Sequence, residues 1–379
     1  MPIKIDFEQI ASPCFVLDEQ ALHNNLKVID YVQKASGAKI ILALKGFAMY
    51  SAFPLVSRYL PGTTASSLNE ALLGKEEFGG EVHAYCPAYL EDEIDEILKI
   101  CSHITFNSLS QWEKYKPKVQ QAGQPLSTAL RINPEFSEVE VDLYNPCAPG
   151  TRLGITAEQL GDTLPEGIEG LHFHTLCESG AEDLEKTLQA VEEKFGHLLH
   201  QAKWLNMGGG HLMTRKGYDL ELLIELIKNL RQNYQLEIIM EPGSAVAWDT
   251  GYLVASVLDI VENRHIQTAM LDVSFSAHMP DCLEMPYQPR VLHSVNESKH
   301  KYRLGGLTCL AGDYMGDFYF EKALQVGDKI IFEDMIHYTM VKTTSFNGVG
   351  LPSIGIWKED NTFQLVKKFG YEVYKNRLS

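Results

Sequence analysis

The sequence predicts an α/β protein, a (β/α)8 TIM-type barrel plus a second, mostly antiparallel β-barrel or sheet domain. Eight short β-rich segments, each followed by a stretch of helical periodicity, occupy about 220 residues, the count and length of a TIM-type barrel. Beyond Tyr252 the pattern changes to short alternating segments set off by turn residues. At 379 residues the chain also exceeds one ordinary compact domain, so two are expected.

The barrel strands are expected at residues 39–44, 63–66, 82–86, 104–107, 127–132, 170–174, 203–207 and 237–241. Between them, residues 183–200 carry Leu184, Leu188, Val191, Phe195 and Leu198 at spacings of three and four, an amphipathic helix. A doubly wound sheet shares this alternation, since strand order and closure are not visible in a sequence. The count of eight favours the barrel. The second domain is expected from LVASVLDIV, IQTAMLDVSF, KYRLGGLTCL, DKIIFEDM and TFQLVKKF, with turns at Val326-Gly327-Asp328 and Asn347-Gly348. Residues 14–17 read as one more strand, returning to that domain. The expected division is therefore 20–252 for the barrel and 1–19 plus 253–379 for the β-domain. No low-complexity stretch, charge block or internal repeat interrupts it.

A hydrophobic fraction of 45% and a charged fraction of 22% are those of a soluble globular protein. No apolar run reaches the length of about 18 residues needed for a membrane-spanning helix. The opening MPIKIDFEQIASP lacks the basic and apolar parts of a signal peptide. Seven cysteines, odd in number and without CxxC pairs, argue against a disulfide framework or structural zinc. The cytoplasm is the expected compartment. A formal net charge of -17 disfavours nucleic acid or an acidic membrane as partner. That charge serves either plain solubility or attraction of a cationic substrate, and composition does not choose between them.

Polar residues at the C-terminal ends of barrel strands carry the most information, because active sites sit there. In ILALKGF, Lys45 follows an apolar strand, where an amine is costly unless solvated, paired or used for imine chemistry. The plain alternative is a lysine capping the strand. In GLHFHTL, His172 and His174 are two apart and so share a strand face. They suit a metal pair, an imidazole lying flat against an aromatic cofactor, or satisfied structural histidines. A metal site would need further ligands, and His83 and His103 offer no obvious set. In NMGGGH, Gly208, Gly209 and Gly210 permit backbone N–H groups to converge on an anion, although GxGxxG is not met. In IIMEPGSA, Glu241 ends the last strand before the Pro242-Gly243 turn and could accept a hydrogen bond from a protonated ring nitrogen. The second domain adds GLTCLAGDYMG, with Cys309 and Asp313 in a Gly-flanked loop, and HYTMVKTTSFNG, with Tyr338 before a Thr/Ser-rich strand. A lone cysteine is more often core than chemistry.

Taken in order, Lys45, TTASSLNE, His174, the three glycines, Glu241-Pro242-Gly243, Cys309 with Asp313, and Tyr338 resemble the alanine-racemase-like, fold-type III pyridoxal-phosphate decarboxylases. This is the group of ornithine and diaminopimelate decarboxylases, and the resemblance covers nearly the whole chain. Within it, LDVSFSAHMPDCLEMPY and GGLTCLAGDYMGDF are most similar to the branch acting on carboxylated polyamines, carboxynorspermidine and carboxyspermidine.

The resemblance implies the site residue by residue. Lys45 would hold pyridoxal 5'-phosphate as a Schiff base, and His174 would stack on its ring. Gly208, Gly209 and Gly210, with Gly243 and Tyr338, would hold the phosphate, and Glu241 would pair with the ring nitrogen. Cys309 would protonate the carbanion left by CO2, on a loop delivered by a partner subunit, so that the β-domain completes a site shared across a homodimer. Asp313 would bind the distal amine of the substrate. Asp281 and Glu284 either contact the polyamine or are solvated loop charges. One departure weakens the ornithine and diaminopimelate readings: those enzymes carry arginine after the EPG turn, where this chain has Ser244. A non-catalytic cofactor carrier or regulatory homologue, and a barrel metallohydrolase, are the remaining alternatives.

Overall fold

The structure, a computed structural model, describes residues 5–139, 141–285 and 287–379; the first four residues of the opening segment lie outside them. The chain divides into two compact units, 23–246, and 1–22 with 247–379.

In the first unit all eight expected strands form: Lys39–Ile40 with Leu42–Ala43, Gly62–Ala65, Glu81–Tyr85, His103–Phe106, Ser127–Arg131, Gly170–His172, Trp204–Asn206 and Glu237–Met240. Each pairs in parallel with the next. The first strand is split at Ile41. Leu42–Ala43 pairs with the second strand and Lys39–Ile40 with the last, so the sheet returns to where it began. Across the split, Ile41 N–H donates to Met240 O at 2.9 Å and holds the seam. Closure removes the doubly wound alternative, whose open sheet would leave two edge strands.

Apolar side chains fill the interior, with Ile41, Ala129, Trp204 and Ile239 packed as one cluster. On the outside, helix Ala181–Leu199 buries Leu184, Leu188, Val191, Phe195 and Leu198, the residues its periodicity selects. It starts before residue 183 because the Asp183 carboxylate accepts the Gly180 N–H at 2.8 Å and closes the first turn. Charges gather at the N-terminal ends of the strands, where Lys39 lies 3.2 Å from Glu81 and 3.0 Å from Glu237.

The second unit is built on a mixed sheet. Its five expected strands appear as Gly251–Asn263, Ile266–Leu271, His300–Gly305, Lys329–Glu333 and Phe363–Lys367. Cys14–Asp18 joins them, antiparallel to Gly251–Asn263 and parallel to Ser353–Trp357. Ile266–Leu271 also runs parallel to His300–Gly305, so antiparallel pairing dominates without being complete. Tyr314–Phe320 and Ser353–Trp357 escaped sequence reading, because neither shows clean alternation of buried and exposed residues. The Thr/Ser-rich strand expected after Tyr338 is instead a helix, Thr339–Lys342. Thr343 Oγ1 donates to Thr339 O at 3.0 Å, a bond back along a helical turn that a strand does not offer. No described helix is long and apolar enough to cross a membrane.

Each unit encloses a histidine. His211 in the barrel and His278 in the second unit are almost completely buried, and burial pulls both from the ordinary 6.5 to about 4. The nearby Asp313 opposes that shift at His278 without cancelling it. A histidine whose folded pKa is lowered stabilises the fold above its unfolded pKa, and that stability is lost as pH falls toward the folded value. Thermal denaturation should therefore show a midpoint that declines between about pH 6.5 and about pH 5, above the range where most carboxylates titrate. A midpoint unchanged across that window would contradict the burial of neutral imidazoles.

Candidate active site

The C-terminal ends of the barrel strands turn irregular sooner than the apolar runs suggest. Residues 170–174 and 237–241 leave the ladder at His172 and Met240. Phe173 N–H still donates to Asn206 O at 2.9 Å, and Glu241 N–H to Gly208 O at 2.7 Å. His174 and Glu241 therefore sit on backbone just beyond the regular sheet, where it is free to shape a site.

Lys45 lies, exposed, in the turn after Leu42–Ala43. Its neighbour Gly46 meets Gly243 of the turn after Glu241. A Cβ on Gly46 would come 2.7 Å from the Gly243 Cα, and one on Gly243 would come 2.9 Å from the Gly46 Cα. Ala43 N–H donates to Pro242 O at 3.1 Å beside this contact. Two backbones thus touch with no room for a side chain, which brings the Lys45 turn against the Glu241 turn.

Glu241 is largely buried, its Oε1 accepting from Asn206 Nδ2 at 2.7 Å and its Oε2 lying 3.6 Å from His172 Nε2. Burial alone would raise its pKa, but His172, His83 and Asn206 outweigh burial and hold it down to about 2. Part of that lowering requires a positive His172, whereas burial pulls His172 down, toward neutrality. We hold to the neutral ring, since only 2% of His172 is exposed. Glu241 then remains ionised through the Asn206 amide and the polar edge of the imidazole.

Burial, followed by the charges of Lys45 and Arg131, keeps His174 well below the ordinary histidine range. Its Nδ1 accepts the Gly209 N–H at 2.9 Å, which only an unprotonated nitrogen can do. The glycine run is less open than its sequence implies. Gly208 N–H is taken by Asn206 Oδ1 at 2.8 Å and Gly209 N–H by His174, leaving Gly210 N–H without an acceptor among the described residues. The run is glycine because side chains would strike its neighbours: a Cβ on Gly208 would come 2.5 Å from Phe173 O, and one on Gly209 would meet Glu241 O.

Two further residues belong to this cluster. In TTASSLNE, Ser67 Oγ caps the helix by accepting the Glu70 N–H at 3.2 Å, and the Glu70 carboxylate accepts the Ser66 N–H at 2.6 Å, which sets Glu70 within the field of Lys45. Arg131 ends its strand only 4% exposed. It donates to His174 O at 3.1 Å, its guanidinium lies 4.8 Å from the centre of the Tyr85 ring, and no carboxylate pairs with it among the described residues. The logic that selects Lys45, a cation ending an apolar strand, selects Arg131 equally.

The metal reading has a different cluster to consider. Glu81, His83 and His103 come together near the N-terminal strand ends, apart from the pair at His172 and His174. The two rings are stacked, 4.0 Å between centres and 22° between planes. Their ligand atoms and a Glu81 oxygen lie within 4.8 Å of one another, so the structure does bring a possible ligand set together where the sequence offered no obvious one; Glu81 is also paired with His83 Nε2 and Lys39, each at 3.2 Å.

In the second unit, Cys309 is exposed, and its N–H donates to Asn347 Oδ1 at 2.7 Å. Asp313 is buried with a full set of partners. Its Oδ1 accepts from Ser274 Oγ at 3.1 Å and Ser276 N–H at 3.0 Å; its Oδ2 accepts from Thr308 N–H at 2.9 Å and Thr308 Oγ1 at 2.7 Å. Four donors exhaust a carboxylate, so Asp313 is spent on tying its loop to the Ser274–Ser276 segment and has no acceptor left for a substrate amine. Asp281 Oδ2 accepts from Tyr287 OH at 2.8 Å and Thr339 Oγ1 at 2.7 Å, while its Oδ1 is enclosed and lacks a partner among the described residues. Glu284 is paired with Lys342. Tyr338, preceding Thr339, has φ 39° and ψ -59°, a strained backbone of the kind that costs about 1–3 kcal/mol and gathers at functional positions.

The sequence model described as pyridoxal-dependent decarboxylase, C-terminal sheet domain, matches residues 14–336. The chain belongs to the pyridoxal-dependent decarboxylases. It is 52% identical over 372 residues to the carboxyaminopropylagmatine decarboxylase of Synechocystis sp., across 97% of this chain and 96% of that one. It is 46% identical over 384 residues to the carboxynorspermidine/carboxyspermidine decarboxylase of Campylobacter jejuni, across 98% and 99%. The crystal structure of the carboxynorspermidine decarboxylase of C. jejuni, complexed with norspermidine, superposes with a TM-score of 0.90 at 45% identity, covering 97% of this chain and all of that one.

The decarboxylase's own residues fit pyridoxal phosphate. A carboxylate held ionised inside the barrel suits a cationic ring nitrogen, a fixed neutral imidazole suits a flat aromatic face, and an exposed amine suits imine formation. The Gly46–Gly243 contact is testable without the cofactor. Gly243→Ala should destabilise the decarboxylase by about 1–3 kcal/mol in denaturant titration, because neither backbone can yield cheaply. Wild-type stability would mean the two turns are free to part.

Proposed function

We propose that this decarboxylase removes CO2 from carboxynorspermidine or carboxyspermidine, giving norspermidine or spermidine. The observation that carries this reading is 46% identity, over 98% of the chain, to an enzyme named for both substrates. A second reading, carboxyaminopropylagmatine as substrate, has the 52% relative in its favour. The three compounds share an amino-carboxypropyl head and differ in the tail, amine in two and guanidinium in the third. Ser244 in place of arginine argues against diaminopimelate or ornithine.

Pyridoxal phosphate, when bound, supplies the electron sink for the pair left behind as CO2 departs. Lys45 would hold it through its side-chain amine. Glu241, held ionised, would pair with the cofactor's ring nitrogen. His174, fixed by Gly209, would stack on the ring; Gly208, Gly209, Gly210 and Gly243 would hold the phosphate, a role also assigned to Tyr338. Cys309 returns a proton to the α-carbon. Asp281, with one oxygen lacking a donor among the described residues, would bind the cationic tail; Glu284 would join it only by releasing Lys342. A second copy of the chain supplies the Cys309 loop, giving a C2 dimer with two shared sites. Exposed Leu307, Leu310 and Tyr314 on that loop support a covering partner. Seven unpaired cysteines suit the cytoplasm.

Measured CO2 release should give kcat/KM for carboxynorspermidine and carboxyspermidine at least about tenfold above carboxyaminopropylagmatine. The reverse order transfers the assignment to the second reading. Bound cofactor without CO2 from any of the three leaves a non-catalytic carrier. Cys309→Ala should keep the cofactor absorbance and lose about 10²–10⁴-fold in turnover. Lys45→Ala should abolish borohydride trapping of the cofactor on the chain, and full activity in either variant would remove its assigned role.

A further inference from the structure

We propose that Asn347 and Asp313 are positioning residues that hold the backbone around Cys309 and so set where its thiol is presented. The inference rests on the reading of Cys309 as proton donor. On one side of the cysteine, Thr308 is tied by both its N–H and its hydroxyl to Asp313 Oδ2, at 2.9 and 2.7 Å. The other carboxylate oxygen takes Ser274 Oγ at 3.1 Å and Ser276 N–H at 3.0 Å, which anchors the loop to a separate segment. Gly306 N–H donates to Asp313 O at 2.7 Å and closes the loop at its base. Gly306 also leaves the carboxylate its place, since a Cβ there would come 2.5 Å from an Asp313 oxygen.

The cysteine itself is held by Asn347, whose Oδ1 accepts the Cys309 N–H at 2.7 Å. Asn347 has φ 58° and ψ 16°, the left-handed region that asparagine, aspartate and glycine enter most readily. With Thr308 pinned and its own N–H engaged, Cys309 keeps a fixed Cα–Cβ direction and only its side-chain rotamers remain free. The thiol is otherwise exposed, so nothing else in this loop restrains it. Proton delivery to carbon needs the donor within about 3.5 Å of its target, and a displacement of about 1 Å can cost about a hundredfold in rate. An exposed thiol can meet that tolerance only if its backbone is held.

Asn347→Gly tests the hold cleanly, because glycine accepts the left-handed backbone and only the acceptor is lost. Asn347→Asp keeps an acceptor and the conformation. Two measurements on purified holoenzyme are needed: amide hydrogen exchange of the peptide carrying Cys309, and steady-state kinetics with the fraction of turnovers that end in loss of cofactor absorbance. Asn347→Gly should speed exchange at that peptide, lower kcat about tenfold with KM within about twofold, and raise the abortive fraction. Asn347→Asp should restore all three. Unchanged exchange together with wild-type kcat in Asn347→Gly would overturn the proposal. Should that variant fail to fold, Asp313→Asn, which turns an amide N–H2 toward the two Thr308 donors, must produce the same local loss of protection. Full activity in Cys309→Ala would remove the proton-donor role, whereas the exchange data would still report on the cradle alone.

Discussion

The barrel's site depends on two strand-end turns approaching until their main chains touch. Gly46 and Gly243 leave no space for a Cβ on either, and they do so at the seam where the first strand meets the last. Closure of the sheet and assembly of the site are therefore one constraint. Lys45 is adjacent to the first glycine and Glu241 lies two residues before the second, so backbone geometry, rather than side-chain packing, sets amine and carboxylate in the same mouth. The glycine run extends the pattern, since its members press against the backbone of Phe173 and Glu241. A site placed by main chain is rigid, and rigid placement lets fixed charges act without paying to reorganise.

The interior of the same mouth sorts protonation states. Burial neutralises His172 and His174, and Asn206 with the edge of His172 keeps Glu241 ionised. Lys45 and Arg131 add positive charge beside His174 and reinforce its neutrality. The result is two cations, neutral imidazoles, the ionised Glu241 and, near Lys45, the Glu70 carboxyl group. That combination suits a ligand bearing both an anionic group and a cationic ring nitrogen, and it follows from placement, since the same residue types in water would titrate near their ordinary values.

Period and turn residues made all eight barrel strands legible, along with five in the second unit, because both signals are local. The strand ends were not legible: Phe173 continues an apolar run after the backbone has left the ladder at His172, and Glu241 falls just past the last paired residue, Met240. Site residues could be named by type and position, yet their partners could not. Asp313 lies 39 residues from Ser274 and 37 from Ser276 in sequence, so nothing local reveals that its carboxylate is already full. The three glycines suggest three converging donors, and tertiary contacts take two of them. Arg131 was open to discovery and passed over, since a polar strand end draws notice in ILALKGF more readily than in TALRINP.

The acidity of the chain poses a related question. A net charge of -17 suggests a general attraction for cations, but two acids of the second unit's candidate site are committed, Asp313 to four donors and Glu284 to Lys342. Long-range charge speeds encounter and falls off with salt; choosing one tail from another requires a particular oxygen with a free valence. In the proposed function that part falls to Asp281 Oδ1, which lacks a donor among the described residues. The reacting end of the site is held by backbone contacts that tolerate little change, whereas a tail contact of this kind rests on a few loop side chains. On that assignment, relatives named for an agmatine derivative and for carboxylated triamines can both retain about half of this sequence, because a change of tail would fall on the few residues that meet its far end.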